Sequence, residues 1–412
     1  MHLPGRSRTT PLLAAVVAVV LLAAVAGMVL TWPSARDPGT SGVVDSGVQH
    51  VTAKVTGTRT ERCSSTIEDV LPDGTLPDQV DCLRVLATVV TGPLAGTDIE
   101  VWATASLTQA EVPAGTRIVV EHYPDSDGSG ETWAWYDFAR GIPLGALALA
   151  FALVTALVAG WRGLRAIVGL AVAAVVLWLY VLPGLVAGEH AVLLALCGSA
   201  VIMTAVLYLT HGLSTRTTVA LLGTLVGLLL VAGLGALGAH AAHLQGVTSE
   251  DSYRLAALLG PDGAAILRGV FLCGVVLAGL GVLNDVTITQ ASAVWELHAA
   301  DPSAPWGRLF AQGMRIGRDH IASTIYTLAF AYAGASLPVL LLLQVYDLPL
   351  AQTLTSGQFA EEIVRTLAGS IGLILAIPLT TALAVVVARA GRRPARHAEP
   401  AEPGHGHLDH LA

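Results

Sequence analysis

Charge is what this 412-residue chain has least of. Asp, Glu, Lys and Arg make up 13% of it, about half the roughly 25% share of a soluble domain. Hydrophobic residues make up 54%, and the mean hydropathy is +0.66. That balance excludes an ordinary water-soluble enzyme, a disordered chain, a coiled coil and a collagen-like chain. Lysine is almost missing: Lys54 is the single one, and arginine is otherwise the sole strong base. Aromatic residues amount to 5%, and no basic stretch is interleaved with them, so no nucleic-acid partner is expected. The chain has no P-loop, nucleophile elbow, zinc-protease helix or dinucleotide fingerprint. Neither enzymatic activity nor a cofactor or metal is therefore expected. Cysteine is scarce too: Cys63 and Cys82 lie in an acidic segment, while Cys197 and Cys273 lie in apolar runs as space-fillers.

What is abundant is apolar sequence in long runs. A membrane-spanning helix needs about 20 such residues. Eight runs qualify: Pro11–Leu30, Ile142–Gly160, Ala166–Val186, Ala191–Thr210, Thr218–Ala239, Ala264–Leu283, Ile321–Leu343 and Ile363–Ala388. Arginine placement orients them by the positive-inside rule. With the N-terminus in the cytoplasm, twelve arginines fall inside, among them Arg162, Arg165, Arg216, Arg308, Arg315 and Arg318, against Arg254 in the outer loops. Arg268 and Arg365 sit at outer helix ends, within snorkelling reach of the interface. The first run has a second reading as a cleaved signal peptide ending near Ala24-Val25-Ala26, although it exceeds the usual h-region of about 7–15 residues. The expected fold is a mainly α membrane protein: an eight-helix transmembrane bundle with a small all-β, OB-like barrel outside the cytoplasm after helix 1. Its divisions are a signal-anchor segment (1–31), the β domain (32–140), a seven-helix membrane domain (141–389) and a cytoplasmic tail (390–412). The lipid bilayer is the expected partner, with an envelope partner or substrate whose identity stays open.

Residues 32–140 carry 16 Asp/Glu against 7 Lys/Arg and a different periodicity. Val51–Thr60, Leu83–Thr91, Thr97–Ala103, Arg117–His122 and Thr132–Phe138 are β-branched or aromatic and bounded by Gly, Pro and Asp, which predicts strands. Five short strands suit a small barrel. Cys63 and Cys82 flank the first connection, and an oxidising compartment favours a structural disulfide between them. Asp125, Asp127 and Glu131 have a faint calcium-loop flavour, but the stretch is too short for an EF-hand loop and reads as a solvated turn.

The most informative stretch follows the sixth run, from Gly281 to His298. It has no Gly or Pro between Val282 and Asp301-Pro302, so a helix should persist and stop there. At 3.6 residues per turn, Asp285, Thr289, Ser292 and Glu296 form one stripe with Asn284 beside it. An ionisable residue on a membrane helix marks a functional site by default. Asp285 is accordingly the proton-carrying candidate, unless the membrane ends near Leu283 and the remainder is a wet amphipathic helix. A second cluster opens the seventh run: Arg315, Arg318, Asp319 and His320. Arg318 and Asp319 read as the cytoplasmic surface. His320, which titrates near neutrality, is a neighbour for Asp285 across the helix pair. The ion-pathway candidates are thus Asn284, Asp285, Thr289, Ser292, Glu296, Arg318 and His320.

GVLNDVTITQASAVWEL (Gly281–Leu297) and GRDHIASTIYTLAFAYAGASL (Gly317–Leu337) resemble the YibE/F-like bacterial membrane proteins. The resemblance implies an integral protein of the bacterial plasma membrane and names no substrate. A fainter similarity links Asn284-Asp285 to SecF-type subunits of the proton-driven RND superfamily, which also place an outer domain after one helix. This chain departs from them in having two extra spans and a different outer domain. Two functions follow as expectations: an ion-gradient-coupled transporter or export accessory, or a non-transporting envelope protein whose β domain binds a partner.

Overall fold

The computed structural model describes residues 9–33, 47–66, 69–71, 73–104, 107–124, 131–345 and 349–390. It divides into two compact units: Asp37–Leu164, and Met1–Arg36 with Arg165–Ala412. Asp125 and Asp127, and most of the tail after Arg389, lie outside the described residues.

The first unit holds one antiparallel sheet: β1 (Gln49–Ser64), β2 (Gln79–Val89), β3 (Asp98–Trp102), β4 (Arg117–Tyr123) and β5 (Thr132–Phe138), in the order β3-β2-β1-β4-β5. Period-2 alternation puts Val51, Ala53 and Val55 of β1, Val85 and Ala87 of β2, and Ile118 and Val120 of β4 in one core. Trp133, Trp135 and Phe138 pack against it. The expected barrel is corrected to an open sheet, because no ladder joins β3 to β5. The register sets where each edge lies along β1. β2 carries β3 opposite the middle of β1, since Thr88 pairs with both Asp98 and Lys54. β4 carries β5 opposite the start of β1, where Ile118 pairs with Phe138 and Ala53. The two edge strands still run beside one another, in contact but without a ladder. Cys63 and Cys82 are disulfide-bonded with Cα atoms 5.9 Å apart. They lie inside the β1–β2 ladder, diagonal to one another, rather than in a loop.

Six helical stretches among the described residues are long and apolar enough to cross a membrane: Pro11–Leu30, Gly141–Val186, Ala191–His211, Thr215–Ala241, Gly260–Ala300 and Gly357–Ala390. The expected eight runs reduce to six for two reasons. Ile142–Gly160 and Ala166–Val186 belong to one stretch, α2 (Gly141–Val176), a π turn (Leu177–Val181) and α3 (Leu182–Val186). Its helix breaks at Gly160, where φ is 57° and ψ −139°, a conformation essentially confined to glycine. The chain bends sharply there: a Cβ at Gly163 would strike the Thr155 carbonyl, which eight residues of straight helix would hold about 12 Å away. Ile321–Leu343 divides at Ser336 between α8 (Trp306–Ala335) and α9 (Leu337–Val345), and α8 carries too much charge to count as apolar.

In the second unit α1 (Thr9–Leu30) packs on α4 (Ala191–His211). Its end is fixed by a 2.7 Å Thr31–Tyr180 hydroxyl pair and by Trp32 stacking on Tyr180. α5 (Thr215–Ala241), α7 (Gly263–Ala300) and α11 (Gly357–Ala390) pack on one another and form the centre, with α8 against α7 and α11. Two short helices, α6 (Glu250–Leu258) and α10 (Leu350–Leu354), complete the chain order. Between spanning helices small residues permit close approach where apolar burial gives no driving force. Gly227 leaves 2.7 Å between an added Cβ and Leu283, and Gly235 leaves 2.8 Å to Val275. Val231 is wedged between Gly279 of α7 and Gly372 of α11.

Candidate functional site: a charged belt at mid-height of the bundle

The close contacts fix which residues share a level. Along α5 and α7, Gly227 meets Leu283 and Thr224 shares a 2.6 Å hydrogen bond with Thr287. Asp285 therefore stands level with Leu225. Along α5 and α11, Gly223 meets Thr380 and Gly227 meets Ala376, which brings Leu225 level with Pro378. By the 1.5 Å rise per residue, Leu225 is about 15 Å from the start of α5 at Thr215, and Pro378 is about 16 Å from Arg389. Asp285 thus sits well inside the span that its neighbouring helices cover. Along α8 and α11, Gly313 meets Thr381 and Gly317 meets Ile377. Arg315 then stands level with Leu379, Arg318 with Ala376 and His320 with Ile374. Arg318 is about 20 Å from the level of Arg389. Arg318 and Asp319 therefore lie well inside the length of α11. Trp295, Trp306, Arg216 and Arg389 share one level near the end of the bundle.

Asp285, Glu296, Arg315, Arg318 and Asp319 are exposed, and Asn284, Thr289, Ser292 and His320 are half-buried. The stripe is borne along the helix as expected: Thr289 donates to the Asp285 carbonyl at 2.7 Å and Ser292 to the Ile288 carbonyl at 2.7 Å. Asn284 turns a buried, unpartnered Oδ1 inward. Asp285 and His320 come to nearly one level, but no hydrogen bond or ion pair joins them among the described residues. Asp285 faces outward from its own bundle, not into it.

The buried polar centre is Gln290, 1% exposed. Its Nε2 donates to the Gly313 carbonyl at 2.8 Å and to Thr381 Oγ1 at 2.7 Å, and Thr381 passes its own proton to the Ile377 carbonyl. Gln290 Oε1 and Thr380 Oγ1 are buried without partners. Neither Gln290 nor the threonine pair stood out as ionisable, yet hydroxyls at Thr380 and Thr381, two and three residues after Pro378, interrupt an otherwise apolar run. At the opposite end of α11, Glu361 is buried and accepts from the Gly246 N–H at 3.1 Å and Thr248 Oγ1 at 3.3 Å. Glu362 pairs with Arg365, whose guanidinium lies 5.5 Å over the Phe271 ring. Arg365 is held in a cluster instead of reaching outward. Among the described residues no group of His, Cys, Asp and Glu side chains is arranged to hold a metal ion.

Six long apolar helices define a multi-pass membrane protein. The family model for YibE/F-like protein matches residues 147–390, more than half of the chain. The chain belongs to that family. No curated protein matches it, and no solved structure does.

Proposed function

We propose that this is a multi-pass protein of the bacterial plasma membrane, with both termini in the cytoplasm and residues 32–140 outside. Its bundle acts as an ion-gradient-coupled transporter or export accessory with Asp285 as the proton-carrying residue. The observation that supports this is depth. Asp285 is level with the interior of α5 and α11, about 15 Å from their common end, in a hydrocarbon layer about 30 Å thick. A membrane ending near Leu283 would leave residues 215–226 of α5 and 377–390 of α11 in water, and both segments are mostly apolar. A carboxylate at that depth has no structural role inside its own bundle, and such groups mark proton and ion paths. Asp285, Thr289, Ser292 and Glu296 descend as a polar strip from mid-membrane to the end marked by Trp295 and Arg216. In this reading the bend at Gly160 separates two passes, with Arg162 and Arg165 at the cytoplasmic turn, and α8–α9 make another, giving eight. Without Arg315 and Arg318, ten cytoplasmic arginines still oppose Arg254.

The test is complementation of a deletion strain with wild type or Asp285→Asn at matched protein levels. Asparagine keeps the shape and carries no proton. Failure of Asp285→Asn to rescue is the expected result. Full rescue would remove proton carriage and favour the second reading, an envelope protein that binds a partner through its β domain. The separate core and disulfide of the β unit favour that reading, since a domain built apart from the bundle can present a binding surface.

A further inference from the structure

Four charged side chains stand exposed on α7 and α8 within a narrow band of depth: Asp285, Arg315, Arg318 and Asp319. Among the described residues none of them has an ion pair or a side-chain hydrogen bond. Asp285 and Arg315 are level with adjacent residues of α11, Pro378 and Leu379, and Arg318 and Asp319 lie about one turn further from the tryptophan-marked end. At this depth arginine is too far from either helix end to snorkel, and bare charge against acyl chains is strongly unfavourable. A lipid headgroup is no remedy, because it would sit at the ends of the helices and not midway. What covers this face has to bring charge of both signs to the same depth.

A second copy of the chain does so without further assumption. Two copies inserted in the same direction are related by a two-fold axis along the membrane normal. Such an axis preserves depth and makes the contact reciprocal. Asp285 of one copy then meets Arg315 of the other at a single level, twice, with Arg318 within reach on the same helix. Gly281, one turn before Asp285 on the same face, is exposed with open space around an added Cβ, so two α7 helices can approach closely there. We infer that the exposed α7–α8 face is a homodimer interface closed by reciprocal Asp285–Arg315 pairs, so that the Asp285 site is complete only between two copies. This rests on the membrane placement proposed above, and it holds whether or not the bundle transports.

The test reads assembly rather than rescue. Full-length protein is reconstituted into liposomes and its copy number counted by single-molecule photobleaching. Wild type should be dimeric. Asp285→Arg and Arg315→Asp should each weaken the dimer at least tenfold. The double variant, or the two single variants mixed, should restore it. A monomeric wild type, a dimer indifferent to both single changes, or no recovery in either combination would overturn the proposal. Cross-linking of the membrane-embedded protein covers variants that misfold. Gly281→Cys should couple two copies through a short bismaleimide. Leu229→Cys, at the same level on the exposed face of α5, should not. Equal coupling at both positions, or none at Gly281→Cys, would overturn the inference equally.

Discussion

Val231 makes the bundle sensitive to a single methyl group on either of two neighbouring helices. Its Cγ1 and Cγ2 lie 3.0 and 3.2 Å from a Cβ built on Gly279, and the same side chain blocks a Cβ on Gly372 from the opposite side. A β-branched residue has little rotameric freedom in a helix, so it cannot yield to one neighbour without striking the other. Gly372→Ala gains about 1 kcal/mol of helix propensity and meets an overpacking cost of about 1–3 kcal/mol. The expected net effect is about 0–2 kcal/mol of destabilisation. Val231→Ala removes both obstructing methyls and on its own leaves a small cavity. In the double variant the new methyl fills part of that space, so the two changes should be non-additive in the favourable direction by about 1 kcal/mol or more, within the usual range for contacting residues. The assay is thermal unfolding in detergent, followed with a thiol-reactive fluorophore, since Cys197 and Cys273 are both buried and free. A double variant no more stable than the two single effects predict would refute the wedge. So would a Gly372→Ala protein as stable as wild type whose coupling to Val231→Ala is zero.

Peptide mapping without reductant should recover Cys63 linked to Cys82. The 19-residue separation corresponds to about 3 kcal/mol in the chain-entropy model, so reduction should lower the β unit's melting point, and two free thiols would exclude the pairing. Gly160→Ala should destabilise by about 1–3 kcal/mol, because its backbone conformation is open essentially to glycine alone, and retained thermal stability would show that the bend is not required. Gln290→Leu should leave stability within about 1 kcal/mol, because Thr381 keeps its own bond to Ile377 and the buried amide oxygen loses nothing. Unfolding transitions of the two proteins will decide it. In the β unit, hydrogen bonds from the Thr108 N–H and hydroxyl hold the Glu111 carboxyl below its ordinary value. Its contribution to stability is full above the unfolded-state value near pH 4 and is lost as pH falls through the lower folded value. Glu111→Gln should therefore flatten part of the acid limb of the stability profile, and an unchanged limb would count against it.

The strands were legible because alternation of period 2 survives in β1 and β2 with few exceptions, and all five predicted segments overlap observed strands. Whether they close was not legible, because it depends on pairing between β3 and β5, which lie far apart in sequence, and no local signal encodes that pairing. The apolar runs revealed the spanning-length helices, and the run Ile142–Gly160 ends where the helix breaks at Gly160; that helix resumes at once rather than after a loop, which no compositional signal gives. The level of Arg318 along the bundle was not legible, because arginine in a single sequence is read as a helix end. Gly313 and Gly317, on the packed side of the same helix, carry the contrary information. Gln290 went unnoticed as the polar centre because it is neutral, whereas the ionisable Asp285 nearby attracts attention and yet faces outward.

The glycines of α5 also bear on whether the bundle can move. Gly223, Gly227 and Gly235 follow a four-residue repeat along the face that meets α7 and α11, and the repeat lacks one member, at Val231. A helix with glycine at every fourth position resembles a toothed rail, along which a partner can slip by about one turn and find an equivalent seat. One-turn ratchets of this kind occur in allosteric proteins. Val231 is the tooth that breaks the equivalence, locking α5 against Gly279 and Gly372 as a pawl locks a ratchet. Val231→Gly would remove that tooth with every charged residue in place, leaving the Thr224–Thr287 and Gln290–Thr381 hydrogen bonds to hold the register.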